Sequence, residues 1–270
     1  MKLGIAIAPK VALPSAFVVF RDDIEISMKK AYDMGFDGVE MALLDSSQVK
    51  VEAVDDLCQK FHLDIPMISS GQVYAQGSLC FSSPDKEVRD KAIARIKALI
   101  DLAERFGSMV NIGRVRGSIE PNEPYEISEN RFLDSLDVVA QYAEPKGVVI
   151  AVEPVNRYEL NFINRVDEAF KVISKINRPN IKIMPDVFHM NIEESSIEAT
   201  FLNYKDHIAY IHFADSNRLA PGMGHLNFPN IINVLKAAGY EGYVTAEILP
   251  HPTPDEAARR AANYLKILLS

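Results

Sequence analysis

Four residues in the second half of the sequence stand in or just beyond short apolar runs. Glu153 follows the β-branched run 148–152, Asp186 follows 181–184, His212 lies in 208–213, and Glu247 follows 243–246. They recur at intervals of 33, 26 and 35 residues. Two glutamates, an aspartate and an imidazole form a hard, oxygen-rich donor set. Such a set suits Mn2+, Mg2+ or Co2+ better than a structural zinc, for which thiolates would be expected. Taken singly, a carboxylate at a strand end more often caps a helix or pairs with a cation. Three of them and a histidine at four successive strand ends are hard to explain that way. Glu153 and Glu247, from the fifth and eighth expected strands, should approach a shared metal from opposite sides with substrate between them. That geometry suits removal of a proton from one face of a carbon next to a carbonyl and its return to the other face, through a metal-stabilised enediolate.

These residues need a scaffold that gathers strand ends. Apolar strand-like runs at 3–8, 39–43, 65–68, 109–115, 148–152, 181–184, 208–213 and 243–248 alternate with helical patterns at 23–34, 51–61, 85–106, 130–143, 166–176, 196–205, 229–238 and 255–269. Eight units average about 34 residues each, which predicts a (β/α)8 TIM barrel over residues 1–270 as a single domain. A doubly wound sheet would also alternate, but no Gly-rich dinucleotide fingerprint follows the first strand. Segment 69–78 reads as a small-residue loop, and 117–129 as a long, acidic loop of the kind that covers active sites. The stripe Ile93, Ile96, Leu99, Ile100 and Ala103 marks the buried face of the longest helix.

Several stretches together resemble the metal-dependent ketose 3-epimerases related to D-tagatose and D-psicose 3-epimerase, within the xylose isomerase-like TIM barrels. They are Glu153-Pro-Val-Asn-Arg157 with Glu159, the run from Asp186 to Glu194, His212 with Asp215-Ser-Asn-Arg218, the loop from Pro221 to Phe228, and Glu247. The loop 71–74, the helix start 83–85 and the turn 115–117 are similar to a branch acting on keto-sugar acids, such as 5-keto-L-gluconate epimerase. The resemblance implies that Glu153, Asp186, His212 and Glu247 hold a divalent metal, commonly manganese, with magnesium or cobalt as alternatives. It also implies that Glu153 and Glu247 exchange the proton, that His189 and Arg218 contact substrate oxygens, and that Glu159 positions its neighbour or the substrate. The chain departs from the pattern at Val187, where a threonine is usual after the metal aspartate, at Pro185, and at Phe228, where many relatives carry tryptophan.

Arg114 and Arg116, near the end of the fourth expected strand, are candidates for gripping a substrate carboxylate, with ion pairing to the acidic loop as the equal alternative. Gly222 and Gly224 read first as a tight turn and second as a phosphate cradle. The substrate expected is a small sugar or sugar acid. Aldose–ketose isomerisation of the hydroxypyruvate isomerase kind, or dehydration of an inosose, would use the same metal site. A formal charge of −8 disfavours nucleic acid. A repair endonuclease would call for more histidines at strand ends. No apolar run reaches the roughly 18 residues of a membrane span. Two cysteines, Cys58 and Cys80, read as thiols of a reducing, cytoplasmic setting. The resemblance further implies a homo-oligomer, a dimer or tetramer.

Overall fold

The computed structural model describes residues 1–14 and 16–270. Its strands are β1 (Lys2–Pro9), β2 (Phe20–Asp22), β3 (Gly38–Ala42), β4 (Met67–Ser69), β5 (Met109–Ile112), β6 (Ile150–Val152), β7 (Ile181–Ile183), β8 (Ile211–Phe213) and β9 (Tyr243–Ala246). Eight of them run parallel in the order β7-β6-β5-β4-β3-β1-β9-β8, while the short β2 pairs alongside the end of β1. Single bridges between Ile183 and Ile208 and between Asp186 and His212 join the two ends of that path. Ala209 N–H donates to the Ile183 carbonyl at 3.1 Å and His212 N–H to that of Pro185 at 2.9 Å. The curled sheet thus closes into a TIM barrel, as the alternation predicts.

Closure explains the composition of the strands. Both faces of a barrel strand are covered, one by lumen side chains and one by helices, so the strands read as nearly unbroken apolar runs. In β1 every residue after Lys2 is buried. Around the barrel lie α1 (Ile24–Asp33), α2 (Val51–Phe61), α3 (Gly71–Gly77), α4 (Lys86–Phe106), α5 (Tyr125–Ala143), α6 (Val166–Ile176), α7 (Val187–Glu193), α8 (Ile197–Tyr204), α9 (Phe228–Ala237) and α10 (Pro254–Leu269). Helix α4 begins where Asp85 accepts the Glu87 N–H at 2.8 Å and ends at Gly107, whose positive φ of 64° a side chain would strain. Its predicted face is the packed one: Ile96, Leu99, Ile100 and Ala103 are fully buried and Ile93 partly so.

Several elements differ from the expectations. Segment 69–78 is a helix over most of its length, α3, flanked by glycines that mask its pattern. Helix α5 starts at Tyr125, which shortens the acidic loop by five residues relative to a start at Asn130. Neither α7 nor β2 is anticipated by hydrophobic periodicity, since both are too short to display one. Strands β6, β7 and β8 are three residues each, shorter than the apolar runs that announce them.

Candidate active site

Backbone register gathers the four predicted ligands. Ile112 pairs with Val152 and Val152 with Ile183, so Glu153 leaves β6 level with the end of β5. Asp186 pairs directly with His212 across the closing seam. Thr245 pairs with His212, and the Glu247 N–H donates to the Phe213 carbonyl at 3.3 Å. Glu153, Asp186, His212 and Glu247 therefore each offer one ligand atom within 4.8 Å of the others. His212 Nδ1 lies 3.4 Å from Glu153 Oε1, 3.5 Å from Glu247 Oε2 and 4.0 Å from Asp186 Oδ2. Glu153, Asp186 and His212 are buried, and Glu247 nearly so.

Three buried or nearly buried carboxylates crowded around one imidazole could hold a metal cation. His212 Nδ1 is buried without a hydrogen-bond partner and faces all three. An orphaned ring nitrogen among oxygen donors fits a divalent metal. Burial raises the Glu247 pKa to about 8, against the opposing charges of His212 and Arg218. Burial also raises Asp186. Burial would raise Glu153 as well, but the close approach of His212 and the charges of His212 and Arg218 outweigh it and hold Glu153 low. For His212 burial favours the neutral ring, yet Glu40 and Glu247 overcome it and hold its pKa well above the ordinary value.

Arg218, set in the left-handed region at φ 63°, reaches over this cluster. Its Nη1 donates to Asp186 Oδ2 at 2.5 Å and its Nη2 pairs with Glu247 Oε2. The guanidinium is flanked by the rings of Phe17 and Phe188, with centroids 4.7 and 4.8 Å away. His189 is buried, its Nδ1 2.7 Å from Asn156 Nδ2 and its Nε2 3.8 Å from Asp186 Oδ2. Burial, and then the Arg218 charge, push its pKa well below the usual imidazole value and keep it neutral. An amide nitrogen only donates, so Nδ1 is the acceptor and the proton sits on Nε2. Asn156 also donates to Glu159 Oε1 at 3.2 Å, and burial raises the Glu159 pKa.

The reading of Arg116 as a substrate grip is corrected by its surroundings. It is fully buried, and its N–H groups donate to the carbonyls of Phe162, Gly113, Glu153 and Ile163 at 2.6 to 3.0 Å. Burial lowers its pKa to about 10. It binds together the loops after β5 and β6 and has no face left for an anion. Arg114, half-buried, has no ion-pair or hydrogen-bond partner among the described residues, and its charge bears on both Glu159 and His189.

Three supporting residues carry no motif that marks them. Glu40 on β3 accepts from His212 Nε2 at 2.8 Å. Asn111 on β5 accepts from Ser70 N–H at 2.7 Å and sets its Nδ2 3.3 Å from Glu153 Oε2. Gly113 leaves the space that Glu153 fills, since a Cβ there would stand 2.5 Å from Glu153 Oε2. Gly222 and Gly224 belong to a turn folded around Asp215, which accepts from the Gly222 N–H at 2.8 Å and the Leu226 N–H at 3.1 Å.

The sequence pattern of the xylose isomerase-like TIM barrel family matches residues 28–268. The chain belongs to that family. Among its relatives, L-ribulose 3-epimerase of Methylomonas sp. (strain DH-1) is 29% identical over 215 residues, covering 79% of this chain and 74% of that protein. The 3-dehydro-D-guloside 4-epimerase of Escherichia coli (strain K12) is 37% identical over 114 residues, 42% of this chain and 44% of that one. The crystal structure of D-allulose 3-epimerase from Methylomonas sp. in complex with D-allulose superposes with a TM-score of 0.82 at 25% identity, covering 99% of this chain and 96% of that one. This xylose isomerase-like barrel thus has relatives named for epimerisation at two different sugar carbons. Among the described residues no helix is long and apolar enough to cross a membrane.

Proposed function

We propose that this barrel is a divalent-metal-dependent epimerase of a ketose or keto-sugar acid. The observation that carries the proposal is the placement of two glutamates, Glu153 and Glu247, at 3.4 and 3.5 Å from the same orphaned nitrogen of His212. Glu153, Asp186, His212 and Glu247 would hold the metal, with manganese expected and magnesium or cobalt able to serve. A bound divalent cation supplies Lewis acidity at the substrate's carbonyl and hydroxyl oxygens, which makes the intervening C–H more acidic.

The remaining chemistry belongs to the chain's own residues. One of Glu153 and Glu247 would take the proton from one face of the carbon and the other would return a proton to the opposite face, with the roles exchanged in the reverse direction. Neutral His189 offers its Nε2–H to a substrate oxygen, and Arg218 offers its guanidinium from the opposite rim. Glu159, held through Asn156, accepts from a substrate hydroxyl. Arg114 is the cation left to meet a substrate carboxylate, which favours a keto-sugar acid over a neutral ketose. The unpaired thiols Cys58 and Cys80 support a reducing, cytoplasmic setting. We read the whole chain as one barrel domain working as a homo-oligomer on small molecules, with no nucleic-acid or membrane partner.

The test is to incubate the Mn2+-loaded protein in D2O with neutral ketoses and keto-sugar acids and to follow the C–H next to the carbonyl by NMR. Deuterium at an inverted centre is the expected result. Exchange that yields an aldose, or loss of water from an inosose, would replace epimerisation with one of the sister reactions of the same site. No exchange with metal bound would overturn the proposal.

A further inference from the structure

Glu40 sits in the middle of β3, with no exposed surface, and its Oε1 has no hydrogen-bond partner. Removing a carboxylate from water into a barrel lumen costs several kcal/mol unless a positive or N–H partner compensates. Among the described residues no lysine or arginine pairs with Glu40; its ion-pair partner is His212, itself fully buried. The pair spans the lumen, since β3 and β8 are separated in the sheet by β1 and β9. A neutral side chain would pack β3 more cheaply, so the charge is explained by what it does to the ring.

We infer that Glu40 is a positioning residue for the metal-facing nitrogen of His212. The inference rests on the metal-site reading above. By accepting the Nε2–H at 2.8 Å, Glu40 fixes which nitrogen keeps a proton, leaves Nδ1 as the ligand atom and prevents the ring from turning over. The ring is held from a second side by Tyr210, edge-on at 5.8 Å between centroids, whose hydroxyl is itself tied to Thr245 Oγ1 at 2.5 Å. Strand β3, from the other half of the chain, and the neighbouring strand β9 thereby set the aim of a ligand on β8.

The test compares the wild-type protein with E40Q, E40L and D186N. Metal affinity is read by Co2+ absorption and by chelator competition with Mn2+, folding by circular dichroism, and the ring by 15N-detected imidazole NMR without metal. Wild type should bind one ion and D186N should lose it. Removing a partner of a ligating histidine typically weakens metal by roughly 10- to 100-fold, the loss expected for E40L. E40Q, whose amide oxygen still accepts from Nε2–H, should fall between the two. A slowly exchanging Nε2 proton should be present in wild type and absent in E40L. Wild-type affinity in a folded E40L, with D186N inactive in binding, would overturn the inference while leaving the metal site intact. Failure of the wild type itself to bind would overturn the metal reading instead. In that case loss of the protected proton in E40L would still establish Glu40's hold on the ring, and its survival would remove that too.

Discussion

The two halves of the barrel contribute different things to one site. Strands β6 to β9 carry all four residues of the candidate metal cluster, each at or near a strand's carboxyl end. Strands β1 to β5 and their loops supply none of the four. They supply instead the groups that aim them: Glu40 for His212, Asn111 for Glu153, Gly113 for the space Glu153 occupies, and Arg116 for the backbone around it. The division separates the groups that form the cluster from those that contact it, Glu40 from across the lumen and Asn111 and Gly113 from the end of the neighbouring strand. It also separates two kinds of failure, lost chemistry and lost alignment.

Breaking the reactive half should have the largest effect. Glu247→Gln keeps the shape of the side chain and removes its proton exchange, and turnover should fall by ~10²–10⁴-fold. Steady-state rates on the substrate found by deuterium exchange check this, and activity retained above about one per cent would sink the two-glutamate scheme. Breaking the supporting half should cost stability first. Arg116→Leu leaves the carbonyls of Gly113, Glu153, Phe162 and Ile163 without their donor, and each buried acceptor left unsatisfied costs about 1–3 kcal/mol. Urea unfolding of the metal-free protein measures it. If stability is unchanged while keto-acid binding is lost, Arg116 serves the substrate after all.

Arg114→Ala isolates substrate choice from both. A lost charged hydrogen bond is worth about 1.5–3 kcal/mol, which should appear as a raised KM for keto-sugar acids. A neutral ketose should be affected little. Equal losses on both substrate classes would remove the carboxylate from the scheme.

The same division explains what could be read in advance. The barrel was legible because burial on both faces makes each strand an apolar run, and helix α4 because its stripe repeats at helical spacing. The four clustered residues stood out because each interrupts or ends such a run. Arg116 was misread because a sequence displays a charge but not where its donors go. Near a strand's end, solvent, substrate and four carbonyls are equally consistent with it. Glu40 is marked by no motif in the sequence, because its partner lies 172 residues away. Helices α3 and α7 escaped because seven residues give two turns at most, too few for a periodic pattern, and their stability comes from packing.

The smallest effect, and the one that most sharply tests the electrostatics, is in the pH dependence of stability without metal. Glu247 has its pKa raised from 4.5 to about 8 in the fold, so its contribution is complete below 4.5 and is lost as pH rises through 8. His212, raised well above its ordinary 6.5, acts in the same direction from 6.5 upward. Glu153 is held low, and its contribution is already constant above 4.5. Between pH 6.5 and 8 the folded chain therefore binds more protons than the unfolded one, and metal-free stability should decline by an amount worth a few degrees in Tm, about 2–4 °C per kcal/mol for a chain of this size. With Mn2+ the slope should reverse, because ligation needs these groups deprotonated. Glu247→Gln should flatten the metal-free decline. A metal-free Tm that climbs across this window would mean that the carboxylates are not held against their charge, and that the lumen is more solvated than their burial implies.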